Sequence, residues 1–137
     1  MNKYNQNLLS LYVHWPYCES KCPYCDFNSH VNEKINVKDW IQSYKNQLLA
    51  MKEELIENNI NFKYLDTIFF GGGTPSLMPL KIVDSIIDLS KKIFGFKKDI
   101  EITLEANPSS YESKKFFKFK QMGINRISIG AQSLNDN

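Results

Sequence analysis

The amino-acid sequence predicts an α/β fold in which parallel strands alternate with helices. Four segments have the pattern of strands and three have the pattern of helices, in the order β-α-β-α-β-α-β. Strands joined by helices pair in parallel, because a parallel connection needs a long crossover. A doubly wound sheet and a (β/α) barrel both satisfy this order. A complete eightfold barrel takes about 250 residues, so we expect these 137 residues to be the N-terminal part of a longer protein.

The first strand, the cysteine loop and the first helix are predicted from the N-terminal half. Leu8–Trp15 is a short, mostly apolar run that ends at Pro16, which predicts a buried strand. Tyr17–Asn32 lacks a helical period and contains all three cysteines, so it is predicted to be a loop. Val37–Asn58 is predicted to be a helix, since its apolar residues recur every three or four positions.

The later segments continue the alternation of strands and helices. Gly95 and Gly123 follow the second and third segments with a helical pattern, as is common just past the end of a helix. The predicted elements are a strand at Tyr64–Phe70, a helix at Leu80–Phe94, a strand at Ile100–Ala106, a helix at Tyr111–Met122 and a strand at Arg126–Ala131.

The composition excludes several classes of protein. Apolar residues make up 42% and charged residues 23% of the chain, which is typical of a globular domain and not of a disordered one. A net charge of +2 argues against a nucleic-acid-binding arm or a polybasic membrane patch. No apolar run approaches the roughly 20 residues of a membrane helix, and the N-terminus lacks the pattern of a signal peptide. We therefore expect a cytoplasmic protein without a nucleic-acid partner.

Polar or glycine-rich segments lie at the predicted carboxyl ends of all four strands. The cysteine loop follows the first strand and Gly71–Gly73 follow the second. Glu105 and Asn107 lie at the end of the third strand, and Gln132 follows the fourth. Ligands bind at this edge of the sheet in both parallel architectures. The four segments together predict one ligand site at the carboxyl edge.

Cys18, Cys22 and Cys25 have the spacing C-x3-C-x2-C and are candidate metal ligands. An odd number of clustered thiols is a poor framework for disulfides. Structural zinc takes four ligands, and His30 could be the fourth. An iron–sulfur cube usually takes four cysteines, so three cysteines would leave one iron open to an external ligand. The spacing alone leaves both interpretations open.

Four motifs of the chain resemble those of radical S-adenosylmethionine (radical SAM) proteins, in particular the branch of the oxygen-independent coproporphyrinogen III oxidases. They are YVHWPYCESKCPYCDF at Tyr12–Phe27, FGGGTPS at Phe70–Ser76, LEANP at Leu104–Pro108 and GINRISIGAQS at Gly123–Ser133. The resemblance implies the N-terminal half of a radical SAM partial (β/α) barrel. Residues 1–137 would then be the N-terminal part of one radical SAM core domain, truncated after the fourth strand.

The same resemblance implies the cofactors and the residues that hold them. Cys18, Cys22 and Cys25 would hold a [4Fe-4S] cluster whose open iron binds S-adenosylmethionine (SAM). One-electron reduction would then cleave SAM to a 5′-deoxyadenosyl radical. The implied cofactor-binding residues are Tyr12, Tyr24, Gly72, Gly73, Thr74, Glu105 and Gln132. No residue is assigned a catalytic role.

Within this branch, the chain resembles heme chaperones of the HemW type more than the oxidases. The oxidases typically carry a further cysteine two residues after the third ligand, where this chain has Phe27. They also carry an additional N-terminal region, whereas the first strand is predicted here to begin at Leu8. This resemblance implies heme as a ligand and heme-accepting proteins as partners.

Two other functions remain as alternatives. The first is an oxidoreductase that decarboxylates side chains of coproporphyrinogen III in porphyrin and heme biosynthesis. The second, from a different class, is a non-enzymatic zinc-binding module built on the three cysteines and His30.

Overall fold

A computed structural model describes residues 8–31, 34–108, 110–131, 133 and 135. Its elements are numbered in chain order. They are strands β1 (Leu8–Trp15), β2 (Tyr17–Cys18) and β3 (His30–Val31), helix α1 (Val37–Glu57), strand β4 (Tyr64–Gly72), helix α2 (Leu80–Phe94), strand β5 (Phe96–Ala106), helix α3 (Ser110–Gln121) and strand β6 (Arg126–Ile129).

The main sheet has four strands in the order β1-β4-β5-β6, and every neighbouring pair is parallel. The connections from β1 to β4, from β4 to β5 and from β5 to β6 each contain one α-helix. This arrangement confirms the predicted α/β class with its parallel β-α repeat. The helix boundaries agree with the predicted ones to within one residue at each end.

β4 is longer than the sequence pattern predicted, because it continues through Gly71 and Gly72. These two glycines pair with His14 and Trp15 of β1, so the strand ladder includes part of the glycine segment. The periodicity of side chains could not reveal this extension, since glycine has no side chain. The glycine segment therefore begins inside the sheet.

The last two sheet strands also differ from their predicted bounds. β5 begins at Phe96 instead of Ile100, because Phe96 pairs with Leu65 across an irregularity in the register. β6 ends at Ile129, before the predicted Ala131. The predicted loop from Tyr17 to Asn32 contains the short parallel pair β2–β3, which no sequence periodicity indicates.

Side chains alternate between the two faces of the sheet, as the period of a strand requires. In β1, Leu11, Val13 and Trp15 are buried in a core that α1 and α2 complete with residues such as Leu48 and Ile82. The intervening side chains of β1 are exposed on the opposite face. The helices thus cover one face of the sheet and leave the other face, here called the open face, accessible.

The helix ends have local causes that the sequence contains. The side-chain oxygen of Asn36 accepts hydrogen bonds from the backbone N–H groups of Lys38 and Asp39, which caps the start of α1. Gly95 follows α2 with a φ of +73°, a conformation that glycine adopts without steric cost. Gly95 is therefore the stop that the sequence predicted. Within the described part of the chain, no helix is long and apolar enough to cross a membrane.

Candidate metal and cofactor site

The carboxyl ends of β1, β4 and β5 lie at one edge of the sheet. Trp15 at the end of β1 pairs with Gly72 of β4, and Glu105 near the end of β5 pairs with Ser128 of β6. The cysteine loop, the glycine segment and Glu105 therefore converge, as the order of elements predicted. The structure does not describe Gln132, so that predicted site residue lies outside the described residues.

The cysteine loop is closed at its base by backbone contacts. β2 and β3 pair Tyr17 with His30 and Cys18 with Val31. The backbone N–H of His30 also donates a hydrogen bond of 2.7 Å to the carbonyl of Pro16. Because its two ends are joined, this segment forms one closed loop that contains all three cysteines.

Aromatic side chains anchor the base of this loop to α1. The ring of Trp15 lies 5.1 Å from that of Tyr17 and 5.3 Å from that of Trp40, measured between centroids. The hydroxyl of Tyr44 donates a 2.8 Å hydrogen bond to the carbonyl of His14. Burial raises the pKa of Tyr44, so this hydroxyl keeps its proton and remains a donor. The end of β1 is therefore held by α1 on one side and by β4 on the other.

The glycine segment contacts the start of the cysteine loop directly. The N–H of Gly73 donates to the carbonyl of Trp15 at 2.7 Å, and the N–H of Thr74 donates to the carbonyl of Tyr17 at 2.9 Å. A Cβ built on Gly73 would lie 2.9 Å from Cys18 Sγ. Only a residue without a side chain fits this space unless the neighbours move. The glycine segment and the first cysteine are therefore in contact at the edge of the sheet.

All three cysteines are free thiols, with Cys22 exposed and Cys18 and Cys25 partly buried. The Tyr24 hydroxyl is hydrogen-bonded to Cys22, which raises the pKa of Tyr24. The neighbouring Cys22 and Cys25 side chains add to this shift. Thiolates are soft ligands that suit iron–sulfur clusters and zinc. Three free thiols on one loop therefore fit a metal centre by their chemistry.

The thiols are not yet gathered as a set of ligands. Across the residues that the structure describes, no three His, Cys, Asp or Glu side chains are grouped as a metal site. His30, the fourth ligand of the zinc hypothesis, lies on β3 and is exposed. Metal sites commonly form only when the metal binds, because binding is coupled to local folding.

Tyr12 and Glu105 share the open face of the sheet near this edge. The ring of Tyr12 stacks on that of Phe69, with centroids 6.1 Å apart and planes 16° apart. Partial burial raises the pKa of Tyr12, and the negative charge of Glu105 raises it further. A Cβ on Gly71 would lie 2.8 Å from the Tyr12 ring, so this glycine makes room for the tyrosine. The structure thus brings these two predicted cofactor residues to one face.

A match to a protein-family model identifies the family of this chain. The model of the radical SAM superfamily matches residues 12–137, which is most of the chain. The chain belongs to the radical SAM superfamily. The resemblance that the four sequence motifs indicated is therefore confirmed.

Two curated relatives are HemW proteins. The chain is 44% identical over 129 residues to "Heme chaperone HemW" of Haemophilus influenzae and 39% identical over 132 residues to the protein of that name in Escherichia coli. It is also 35% identical over 127 residues to a mitochondrial protein of Bos taurus, "Radical S-adenosyl methionine domain-containing protein 1". Each alignment covers 93% of this chain, but only 33% of the two HemW proteins and 28% of the bovine protein.

A solved structure gives the same family by a separate route. The chain is similar to coproporphyrinogen III oxidase (HemN) from Escherichia coli, described there as a radical SAM enzyme, with a TM-score of 0.78 and 25% sequence identity. The match covers 94% of this chain and 29% of that enzyme. The predicted partial-barrel fold of radical SAM proteins is therefore supported by structure as well as by sequence.

This radical SAM chain also contains a polar cluster on the open face that the motifs did not indicate. Arg126 Nη1 lies 3.0 Å from Glu101 Oε1, and the Thr103 hydroxyl donates to the same oxygen at 3.0 Å. Arg126 pairs with Thr103 in the strand register, which brings the guanidinium close to Glu101. Arg126 is the only arginine among the 17 Lys and Arg residues, and this was the one signal in the sequence.

Proposed function

We propose that Cys18, Cys22 and Cys25 hold a [4Fe-4S] cluster with one iron open to SAM. Membership of the radical SAM superfamily supports this proposal, since the family implies both cofactors. The observation that carries it is the contact between Cys18 and Gly73, because it brings a candidate cluster ligand against a candidate SAM-binding residue. When bound, the cluster would supply an electron and an open coordination position.

The residues around the cysteines would bind and shield SAM. Gly73 and Thr74 would line the SAM site beside Cys18, where their N–H groups donate to the carbonyls of Trp15 and Tyr17. Glu105 would accept hydrogen bonds from the ribose or amino group. The proposed SAM residues are Tyr12, Tyr24, Gly72, Gly73, Thr74, Glu105 and Gln132.

For the whole protein, we propose a heme chaperone of the HemW type, with heme as ligand and heme-accepting proteins as partners. The HemW relatives support this proposal, and so does Phe27, which stands where the oxidases typically have a further cysteine. The chain spans only 33% of the length of these relatives, so this function belongs to a longer protein of which 1–137 would be the N-terminal part of the core domain. Three reduced thiols suit a cytoplasmic location, where disulfides are rare.

A second candidate is oxidative decarboxylation of a porphyrinogen. The structural similarity to HemN favours it, because the two folds agree with a TM-score of 0.78. Heme transfer and decarboxylation can be separated in the full-length protein. A chaperone should pass bound hemin to an apo-hemoprotein, whereas an oxidase should release carbon dioxide from coproporphyrinogen III.

The cluster is tested by anaerobic reconstitution of the full-length protein, followed by EPR of the reduced sample with and without SAM. We expect a [4Fe-4S] signal that changes when SAM is added. Cys18→Ser, Cys22→Ser and Cys25→Ser should each lose the iron. His30→Ala is the matched control and should keep it. A colourless protein that binds zinc and releases it in the His30→Ala variant would overturn the proposal in favour of the zinc module.

A further inference from the structure

The three consecutive glycines at the end of β4 each face a different neighbour. A Cβ on Gly71 would meet the ring of Tyr12, and a Cβ on Gly72 would lie 2.6 Å from the carbonyl oxygen of Trp15. A Cβ on Gly73 would meet Cys18 Sγ at 2.9 Å and the carbonyl oxygen of Tyr17 at 2.7 Å. Gly73 is therefore the member of the segment that faces a candidate cluster ligand.

Space, and not backbone conformation, accounts for glycine at position 73. The φ of Gly72 is +114°, which by itself favours glycine, but Gly73 has no φ in the left-handed region. An alanine could adopt the backbone of Gly73 without strain. Its methyl group, however, would overlap with the Cys18 thiol and the Tyr17 carbonyl. The position of the thiol therefore depends on the absence of a side chain at position 73.

The backbone on both sides of this contact is held in place. The hydrogen bond from Gly73 N to Trp15 O and the one from Thr74 N to Tyr17 O tie the glycine segment to the chain just before Cys18. Cys18 itself is paired with Val31 in the β2–β3 ladder. A methyl group added at Gly73 would therefore press on the Tyr17 carbonyl, which is held in place, and on the Cys18 side chain, which can rotate away.

The other two cysteines are held differently. Cys22 and Cys25 belong to one local turn, in which the N–H of Cys25 donates to the carbonyl of Cys22 at 3.1 Å. Cys22 is exposed, and its side chain is hydrogen-bonded to the neighbouring Tyr24. Local contacts position this pair, whereas contact with Gly73, just after β4, positions Cys18.

We propose that Gly73 is a positioning residue for Cys18, in addition to any contact with SAM. The glycine leaves the space in which the first thiol is held before metal binds, so that the exposed turn with Cys22 and Cys25 closes onto a fixed ligand. This inference rests on the proposed cluster for its purpose. The contact itself can be tested in the metal-free protein.

The test compares Gly73→Ala with Gly71→Ala in the full-length protein. Both changes add one methyl group, but at Gly71 it meets the end of the Tyr12 side chain, which is 57% exposed and able to move. In the metal-free protein, alkylation by iodoacetamide is followed for each cysteine by mass spectrometry. We expect Gly73→Ala to change the rate at Cys18 relative to that at Cys22 by about threefold or more, since thiol reactivity follows its surroundings. Gly71→Ala should leave the ratio unchanged.

After reconstitution, Gly73→Ala should lose iron to a chelator faster, by about 10–100-fold, as is typical when the support of a metal ligand is removed. General unfolding is recognised by the absolute rates, because it would raise all three rates to those of the urea-unfolded wild-type protein, whereas the proposal expects the rate at Cys22 to stay at its native value. An unchanged Cys18 to Cys22 ratio overturns the proposal, and so does wild-type iron retention. If the wild-type protein itself binds no iron, the proposed cluster fails, and the alkylation ratio alone decides whether Gly73 positions Cys18.

A double-mutant cycle keeps the test decisive if Gly73→Ala is unstable. Thermal unfolding of the metal-free protein is compared for Gly73→Ala in the wild-type and the Cys18→Ala backgrounds. The loss of melting temperature should be smaller in the Cys18→Ala background, because the methyl group no longer meets sulfur. Equal losses in both backgrounds would show that the thiol is not what the glycine accommodates.

Discussion

The helix-covered face of the sheet and the cysteine loop are built in opposite ways. In the sheet core, Phe70 is 0% exposed and Trp15 is 1% exposed. In the loop, Phe27 is 70% exposed and Tyr24 is 67% exposed. Aromatic side chains are thus buried in the sheet core and exposed to water in the cysteine loop. Burial stabilises the first region, and the candidate chemistry lies in the second.

The two regions also differ in what fixes their positions. The inner strands β4 and β5 each pair with a neighbouring strand on both sides, so many hydrogen bonds and packing contacts hold them. The loop is held at its base by β2–β3 and by the hydrogen bond from His30 to Pro16. A segment with few buried contacts can open without unfolding the rest of the protein. Such a loop is suited to close around a metal centre.

The largest expected effect comes from removing one aromatic ring in each region. Phe70→Ala should cost about 3–5 kcal/mol of unfolding free energy, because it leaves a cavity in the core. Phe27→Ala is the matched control and should change it by no more than about 0.5 kcal/mol. Urea unfolding of the metal-free, full-length protein measures both. A loss at Phe27 as large as that at Phe70 would show that the loop is part of the core.

The second prediction tests the boundary between the regions. Gly72 and Gly123 both have positive φ, +114° and +104°, so alanine at either position should cost about 1–3 kcal/mol in backbone strain. Gly72→Ala should cost more, because its Cβ would lie 2.6 Å from the Trp15 carbonyl oxygen, whereas at Gly123 the nearest atom is 3.9 Å away. The same unfolding experiment compares them. Equal losses would mean that the end of β1 moves freely, against the contacts described above.

The smallest expected effect is at the start of α1, just after the loop. Asn36→Ala removes the side-chain cap and should cost about 1 kcal/mol of unfolding free energy. Asn46→Ala, which removes only an exposed hydrogen bond from Gln42, should cost about 0.2–0.5 kcal/mol. If the cap mattered to the loop as well as to the helix, Asn36→Ala would also change the alkylation rates of the cysteines. We expect those rates to stay unchanged.

Most of the fold could be predicted from the sequence, because burial imposes a period on it. Leu8–Trp15 and Leu80–Phe94 have the predicted bounds, since their apolar residues must face one core. The extension of β4 through Gly71 and Gly72 could not be predicted, because glycine leaves no periodic signal. The pairing of Arg126 with Glu101 also escaped prediction, since it depends on the register between two strands.

For the candidate site too, some properties follow from the sequence and others from the tertiary structure. The types and spacing of the three cysteines, the glycine segment and Glu105 are properties of the sequence, and they indicated the family before any contact was known. Which glycine faces the Cys18 thiol, which faces Tyr12, and which cysteine is held by the sheet are properties of the tertiary structure. The sequence pattern of a segment reflects the backbone conformation and the burial of that segment alone. Contacts between distant segments arise only when β1 and β4 pair, because that pairing sets the register that brings Gly73 against Cys18.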